Sequence, residues 1–253
     1  MQQQNKADEC IEDLQLNGLK ILQKKSGFRF GVDAVLLADF AKKQPSARTL
    51  DLCTGTGIVP LLLSAKNNVP VLAGLEIQPE VAEMAQRSVL LNGLEGRIKI
   101  QCGDLKEADN YFQKHSFDCV TCNPPYVKNG SGLQNGLSSK TIARHEIFCT
   151  LEDVIHTSAN MLRPQGHLFL IHRPSRLADL ICTLRAHRLE PKQMRFISPM
   201  PDKAPNLVLI DAVWGGGAEL NILPSLSVYD GNGNYTNEIQ QIYCRENQGG
   251  NPI

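Results

Sequence analysis

Four polar residues, Asp51, Glu76, Asp104 and Asn123, stand at or just beyond the ends of successive short apolar runs, where carboxyl and amide groups can meet a ligand. The most pointed is Asn123, which opens Asn123-Pro124-Pro125-Tyr126 directly after Phe117-Asp118-Cys119-Val120-Thr121-Cys122. The Asn123 side-chain oxygen and the Pro124 carbonyl can each accept one N–H. Such a pair suits a planar amine, whose delocalised lone pair attacks poorly unless the nitrogen is held pyramidal and aimed at an electrophile. Pro125 stiffens the turn through its fixed φ, and Tyr126 offers a flat face on which a planar group can stack. The competing reading of these four residues is a strand ending in a proline loop with a surface tyrosine.

A second constellation lies upstream. Asp51-Leu52-Cys53-Thr54-Gly55-Thr56-Gly57 follows an apolar run and opens a helical pattern. Gly55 and Gly57 allow close backbone approach to a ligand, and Asp51 places a carboxyl at the strand end. A dinucleotide fingerprint would need glycine where Cys53 and Ile58 stand, and no Gly-Lys-Ser/Thr of a phosphate loop follows. A carboxylate there suits a cationic amino group better than a pyrophosphate. Glu76 is placed to accept ribose hydroxyls, and Asp104, after Gly103, to accept from an adenine amine. Ribose, adenine and a cationic amino-acid part together describe S-adenosyl-L-methionine.

These residues must be positioned by alternating strands and helices, and the pattern after residue 47 predicts them. Strands are expected over Thr49–Leu52, Val69–Glu76, Arg97–Cys102, Phe117–Cys122, Gly166–His172 and Leu207–Trp214. Helices are expected over Ile58–Asn67, Pro79–Leu91, Leu105–Phe112, Leu151–Met161 and Ser175–His187. Asp230-Gly231-Asn232-Gly233 signals a hairpin turn, which predicts closing antiparallel strands at the C-terminus. The fold class is therefore α/β and Rossmann-like, with a mostly parallel seven-stranded sheet, an antiparallel C-terminal hairpin and helices on both faces. Residues 1–253 are expected to form one domain, with 48–253 as its core. The long irregular segment 127–149, which contains Asn129-Gly130-Ser131-Gly132, reads as a substrate lid.

Composition narrows the class. With 42% hydrophobic and 21% charged residues, the 253-residue chain is an ordinary globular protein. No apolar stretch resembles a signal peptide or a membrane span, so a cytoplasmic location is expected. The eight cysteines show no disulfide framework. Cys119 and Cys122 form a lone C-x-x-C on a strand, where positions i and i+3 point to opposite faces, so no metal site is expected. The formal net charge is zero. From Arg163 to Lys203, however, eight Lys or Arg face three acids. That stretch is either a phosphate-facing surface or a solvated face.

The order Asp-x-x-x-Gly-x-Gly, Glu, Gly-Asp, Asn-Pro-Pro-Tyr resembles class I S-adenosylmethionine-dependent amino-methyltransferases. Leu14-Gln15-Leu16-Asn17-Gly18-Leu19-Lys20-Ile21 and Phe28-Arg29-Phe30-Gly31-Val32-Asp33-Ala34 narrow the resemblance to the bacterial tRNA(Val) adenine-N6 methyltransferase family, as does Ala143-Arg144-His145-Glu146. The resemblance covers residues 12 to 240. It implies that Phe30, Gly31 and Asp33 border the methionine end of the cofactor, within a segment 1–47 that closes over the site. It also implies that Arg144 and His145 join Tyr126 in holding substrate, and that the target is N6 of the adenine beside the anticodon of a tRNA; a monomer is expected. Cys53 departs from the family pattern, where a glycine is common. The alternatives are N5-methylation of a release-factor glutamine, amine methylation of rRNA or DNA, and a non-catalytic RNA-binding protein on the same fold. The release-factor enzymes carry a separate helical domain first, for which segment 1–47 is too short.

Overall fold

A computed structural model describes residues 8–25, 31–42, 44, 46–125 and 149–243. Two strands, β1 (Glu9–Asp13) and β2 (Lys20–Lys24), form an antiparallel hairpin, followed by helix α1 (Val32–Ala41). Then β3 (Arg48–Leu52), α2 (Ile58–Lys66), β4 (Val71–Glu76), α3 (Pro79–Leu91), β5 (Ile98–Cys102) and β6 (Phe117–Cys122) alternate. The rest comprises α4 (Leu151–Met161), β7 (Leu162–His172), α5 (Leu177–Ala186), β8 (Leu189–Ser198), β9 (Leu207–Trp214), β10 (Asn221–Ser227) and α6 (Asn237–Ile242).

The main sheet runs β10-β8-β9-β7-β6-β3-β4-β5. β5, β4, β3, β6 and β7 are mutually parallel, and β9 is antiparallel to both β7 and β8. Parallel strands covered on both faces read as near-continuous apolar runs, and every residue of Phe117–Cys122 is buried. One face is covered by α1 and α2, with Leu36, Leu37, Leu61 and Leu63 in its core; the other is covered by α4 and α5 through Val154, Ile155, Leu180 and Leu184. α2 is apolar nearly all round because it packs on both the sheet and α1. α4 begins on a capping box in which the Thr150 and Asp153 side chains satisfy each other's backbone N–H groups.

The sheet has eight strands where seven were expected. β8 and β10 escaped sequence detection because proline interrupts each. Pro191 falls where the β8–β9 register shifts, and Pro224 lies on the outermost strand, both of which tolerate a missing N–H. The antiparallel hairpin is β8–β9, not a pair around Asp230, where the turn closes only the bridge Tyr229–Tyr235. β10 runs parallel to β8. The expected helix over Ser175–His187 begins instead with a 3₁₀ turn at Pro174–Arg176, and Leu105–Asn110 is likewise 3₁₀. The N-terminal hairpin was not foreseen as strands.

The hairpin is clamped to α3. Leu22 N donates to Ser88 Oγ at 3.0 Å, and Lys20 and Asn92 exchange two bonds. Arg87 grips Glu9 with both guanidinium NH₂ groups, at 2.8 and 2.6 Å, while Glu9 is only 4% exposed. Removing one partner of such a pair takes away much of what offsets the other's buried charge. Arg87→Ala is expected to destabilise the protein by about 3 kcal/mol in urea unfolding; an unchanged midpoint would show the hairpin held by its other contacts, including the Ser88 and Asn92 bonds, without this pair.

Candidate active site

β6, β3, β4 and β5 are neighbours and parallel, so their C-terminal ends form one edge of the sheet. That edge carries Asn123 after β6, Asp51 near the end of β3, Glu76 at the end of β4 and Asp104 just after β5. It is the edge at which open α/β sheets bind ligands. Gly31 and Asp33 stand at the start of α1, which packs against β7, β9 and β6. Asp33 Oδ1 accepts from Ala34 N at 2.9 Å and folds back over Gly31.

Asp51 is 2% exposed and pairs in register with Gly74 of β4 and Thr121 of β6. Burial pushes its carboxyl up to about 7, against the pull of the Thr121 hydroxyl, which donates to Asp51 Oδ1 at 2.6 Å, and the smaller pull of Thr54. At neutral pH this group therefore stands near its midpoint, and a cationic ligand group beside it would favour the charged form.

The turn after β3 is held in left-handed backbone at Cys53, Gly55 and Gly57, with φ of 57°, 57° and 83°. At Gly57 a side chain would also meet Ala85 Cβ at 3.4 Å. Cys53 thus occupies a conformation natural to glycine, at a backbone cost of about 1–2 kcal/mol. Glu76 ties this turn down, since its Oε2 accepts from Gly55 N at 3.0 Å and its Oε1 from Gln78 N at 3.0 Å. Gln78 Nε2 also donates to Oε1, at 3.3 Å; a carboxylate has about four acceptor positions, so one remains for a ligand hydroxyl. Asp104 caps the 3₁₀ turn through Lys106 N at 2.9 Å, and its side chain keeps 29% exposure. Asn123 is half-buried, Pro124 buried and Pro125 exposed. Tyr126, Phe30, Arg144, His145 and the expected lid 127–149 up to residue 148 lie outside the described residues.

Two further features needed the folded structure. Thr121 becomes a site residue only through the β3–β6 register. The cysteines divide, Cys119 facing the core under α1 and α2 and Cys122 the opposite core. Cys53 Sγ lies 4.0 Å from Cys149 Sγ, and both thiols are pushed up, Cys53 first by its contact with the Cys122 thiol and Cys149 first by Cys53. The basic stretch is largely spent on neighbours. Arg163 pairs with Asp118, Arg176 with Asp179, Arg185 with Glu190, Arg195 with Glu238 and Lys203 with Asp202. A solvated face describes it better than a continuous phosphate-binding surface.

The family model described as "Methyltransferase small domain" matches residues 30–181. A tRNA1(Val) (adenine(37)-N6)-methyltransferase of Porphyromonas gingivalis is 32% identical over 74% of this chain and 75% of its own. The enzyme of the same name from Parabacteroides distasonis is 28% identical over 78% of this chain and 81% of its own. The chain belongs to this methyltransferase family. Among solved structures, a predicted O-methyltransferase of Agrobacterium tumefaciens superposes with a TM-score of 0.68 at 25% identity, covering 84% of this chain and 95% of that one. TrmN of Thermus thermophilus, at 19% identity, superposes with a TM-score of 0.52 over 72% of this chain and 47% of that one. The class I methyltransferase fold and a methyl-transfer activity follow.

The buried Asp51 carboxyl makes stability depend on pH. Its ordinary value is 3.8 and its folded value about 7, so between these values the folded state holds more protons than the unfolded one. Its contribution therefore falls as pH rises through that window. Urea midpoints of the ligand-free protein should fall less steeply between about pH 4 and pH 7 in Asp51→Asn than in the parent. Identical slopes would place Asp51's titration in its ordinary range.

Proposed function

We propose that this methyltransferase uses S-adenosyl-L-methionine to methylate N6 of an adenine in tRNA, at position 37 of tRNA1(Val) as in its relatives. The observation that carries this reading is the single edge bearing Asp51, Glu76, Asp104 and Asn123 on four adjacent parallel strands. The donor set suits the cofactor. Two carboxyl groups at most 5% exposed and a partly exposed third match an ammonium, ribose hydroxyls and an adenine amine. Asp51, with Gly31 and Asp33 beside it, would meet the amino-acid end; Gly55, Gly57 and Glu76 would hold the ribose; Asp104 would accept from the adenine. When bound, the cofactor supplies an electrophilic methyl group on a sulfonium.

The residues of the chain supply the orientation. The Asn123 side-chain oxygen and the Pro124 carbonyl each accept one N–H of the target amine, holding the nitrogen pyramidal with its lone pair directed at the methyl. Tyr126 stacks the base once it has left the anticodon-loop stack, and Arg144 and His145 assist in holding it. Pro125 stiffens the turn that presents the acceptors. The amine becomes more acidic as it is alkylated, and solvent water takes the proton. A nitrogen target explains the paired acceptors, for which an oxygen nucleophile with a single proton would have no use. The chain acts as one domain in the cytoplasm, as a monomer, with segment 1–47 and the lid closing over the site.

Tritiated-methyl transfer to total RNA, purified tRNA and a release factor, run side by side, tests the substrate. Label is expected on tRNA, and label on the protein factor alone would overturn the reading. Asn123→Ala is expected to keep cofactor and tRNA affinity while losing about two orders of magnitude in turnover, because its bond strengthens as the nitrogen becomes tetrahedral. Turnover near normal would remove Asn123 from the chemistry. Glu76→Ala should weaken S-adenosylhomocysteine binding by about 1–3 kcal/mol in calorimetry; full affinity would place the ribose elsewhere.

A further inference from the structure

Thr121 is the one polar side chain on the buried part of β6 that engages a proposed ligand-binding group. It is 0% exposed, stands directly opposite Asp51 in the β3–β6 register, and donates its hydroxyl to Asp51 Oδ1 at 2.6 Å. A buried hydroxyl on a parallel strand between two apolar cores costs free energy unless it is bonded, and this one is spent on a single carboxyl oxygen. It also lies two residues before Asn123, on the same side of the strand.

We propose that Thr121 is a positioning residue for cofactor binding: its hydroxyl holds Asp51 through Oδ1, so that Oδ2 is presented to the amino group of the ligand. This deepens the S-adenosyl-L-methionine reading and rests on it. Without the hydroxyl, the carboxyl is free to rotate and loses a donor that favours its charged form. The other ionisable groups around Asp51 do not replace that donor. Glu76 on β4 is an acid and opposes ionisation. Cys119 and Cys122 on β6 and Cys53 after β3 are thiols pushed upward, the first two mainly by burial, and stay uncharged near neutral pH. Thr54 also pulls on this carboxyl but less strongly and without a well-formed hydrogen bond, so Thr121 is the larger of the two hydroxyl contacts and the one in bonding geometry with Asp51.

The test is the pH profile of S-adenosylhomocysteine binding, followed by calorimetry between about pH 6 and pH 9 on the full chain. In the parent protein, affinity should rise with pH as Asp51 ionises and level off above its midpoint. Thr121→Val, which keeps the shape and removes the donor, is expected to move that midpoint upward and to weaken binding roughly tenfold at pH 7, the equivalent of one lost hydrogen bond. Most of the loss should be recovered at the top of the range, and Thr121→Ser should restore the parent profile. A Thr121→Val protein with the parent midpoint, a loss equal at every pH, or a failure of Thr121→Ser to rescue would each overturn the proposal. Absence of binding by the parent at every pH would instead sink the cofactor reading itself. Circular dichroism and urea midpoints confirm that both variants are folded before titration.

Discussion

Placing a carboxyl in the middle of a parallel sheet is costly, and the site is organised around that cost. Asp51 enters the sheet between β4 and β6, where both faces are covered by helices and water is excluded. Burial raises its carboxyl to about 7, and Thr121 partly offsets the rise. A group poised this way responds strongly to a nearby cation, because the first positive charge to arrive favours the ionised form in a medium of low effective dielectric. The neighbouring strands place the remaining acceptors on the same edge, since parallel strands joined by helical crossovers all end on one side.

Glu76 links the backbone to the ligand chemistry. Its carboxylate holds the left-handed turn at Gly55 and still has an acceptor position to spare. The turn's shape and the acceptor for the ribose therefore depend on one side chain. Cys53 shows the tolerance of this arrangement. A non-glycine residue is held at φ 57° beside the thiols of Cys122 and Cys149, and packing over-determines the strained backbone. The N-terminal hairpin, clamped to α3 by Glu9 and Arg87, leads into α1, whose start carries Gly31 and Asp33.

Much of this was legible in the residues. Pro79–Leu91, Phe117–Cys122, Leu151–Met161 and Leu207–Trp214 match the expected elements end to end, because long apolar runs and clear helical periods leave little room for alternatives. The strand-end acids and Asn123-Pro124-Pro125-Tyr126 were recognisable because their chemistry is local to each motif. Strand count, the β8–β9 hairpin and the N-terminal β1–β2 pair were not, since proline-interrupted or short half-buried strands become strands only when a partner supplies the hydrogen bonds and the covering surface.

The sequence by itself determined which groups are available and roughly where each element carries them: three acids, an asparagine and a glycine turn at successive strand ends, which restrict the chemistry to a narrow class. Only the tertiary structure decided what those groups do to one another. Register placed Thr121 against Asp51, burial shifted that carboxyl toward neutrality, and Glu76, expected only to accept ribose hydroxyls, proved also to hold the turn at Gly55. The basic stretch between Arg163 and Lys203 was decided there too, as acids from outside it, Asp118 and Glu238, reached Arg163 and Arg195. Such effects arise between residues distant in the chain, with energies set by separation and exclusion of water, and no local pattern encodes either quantity.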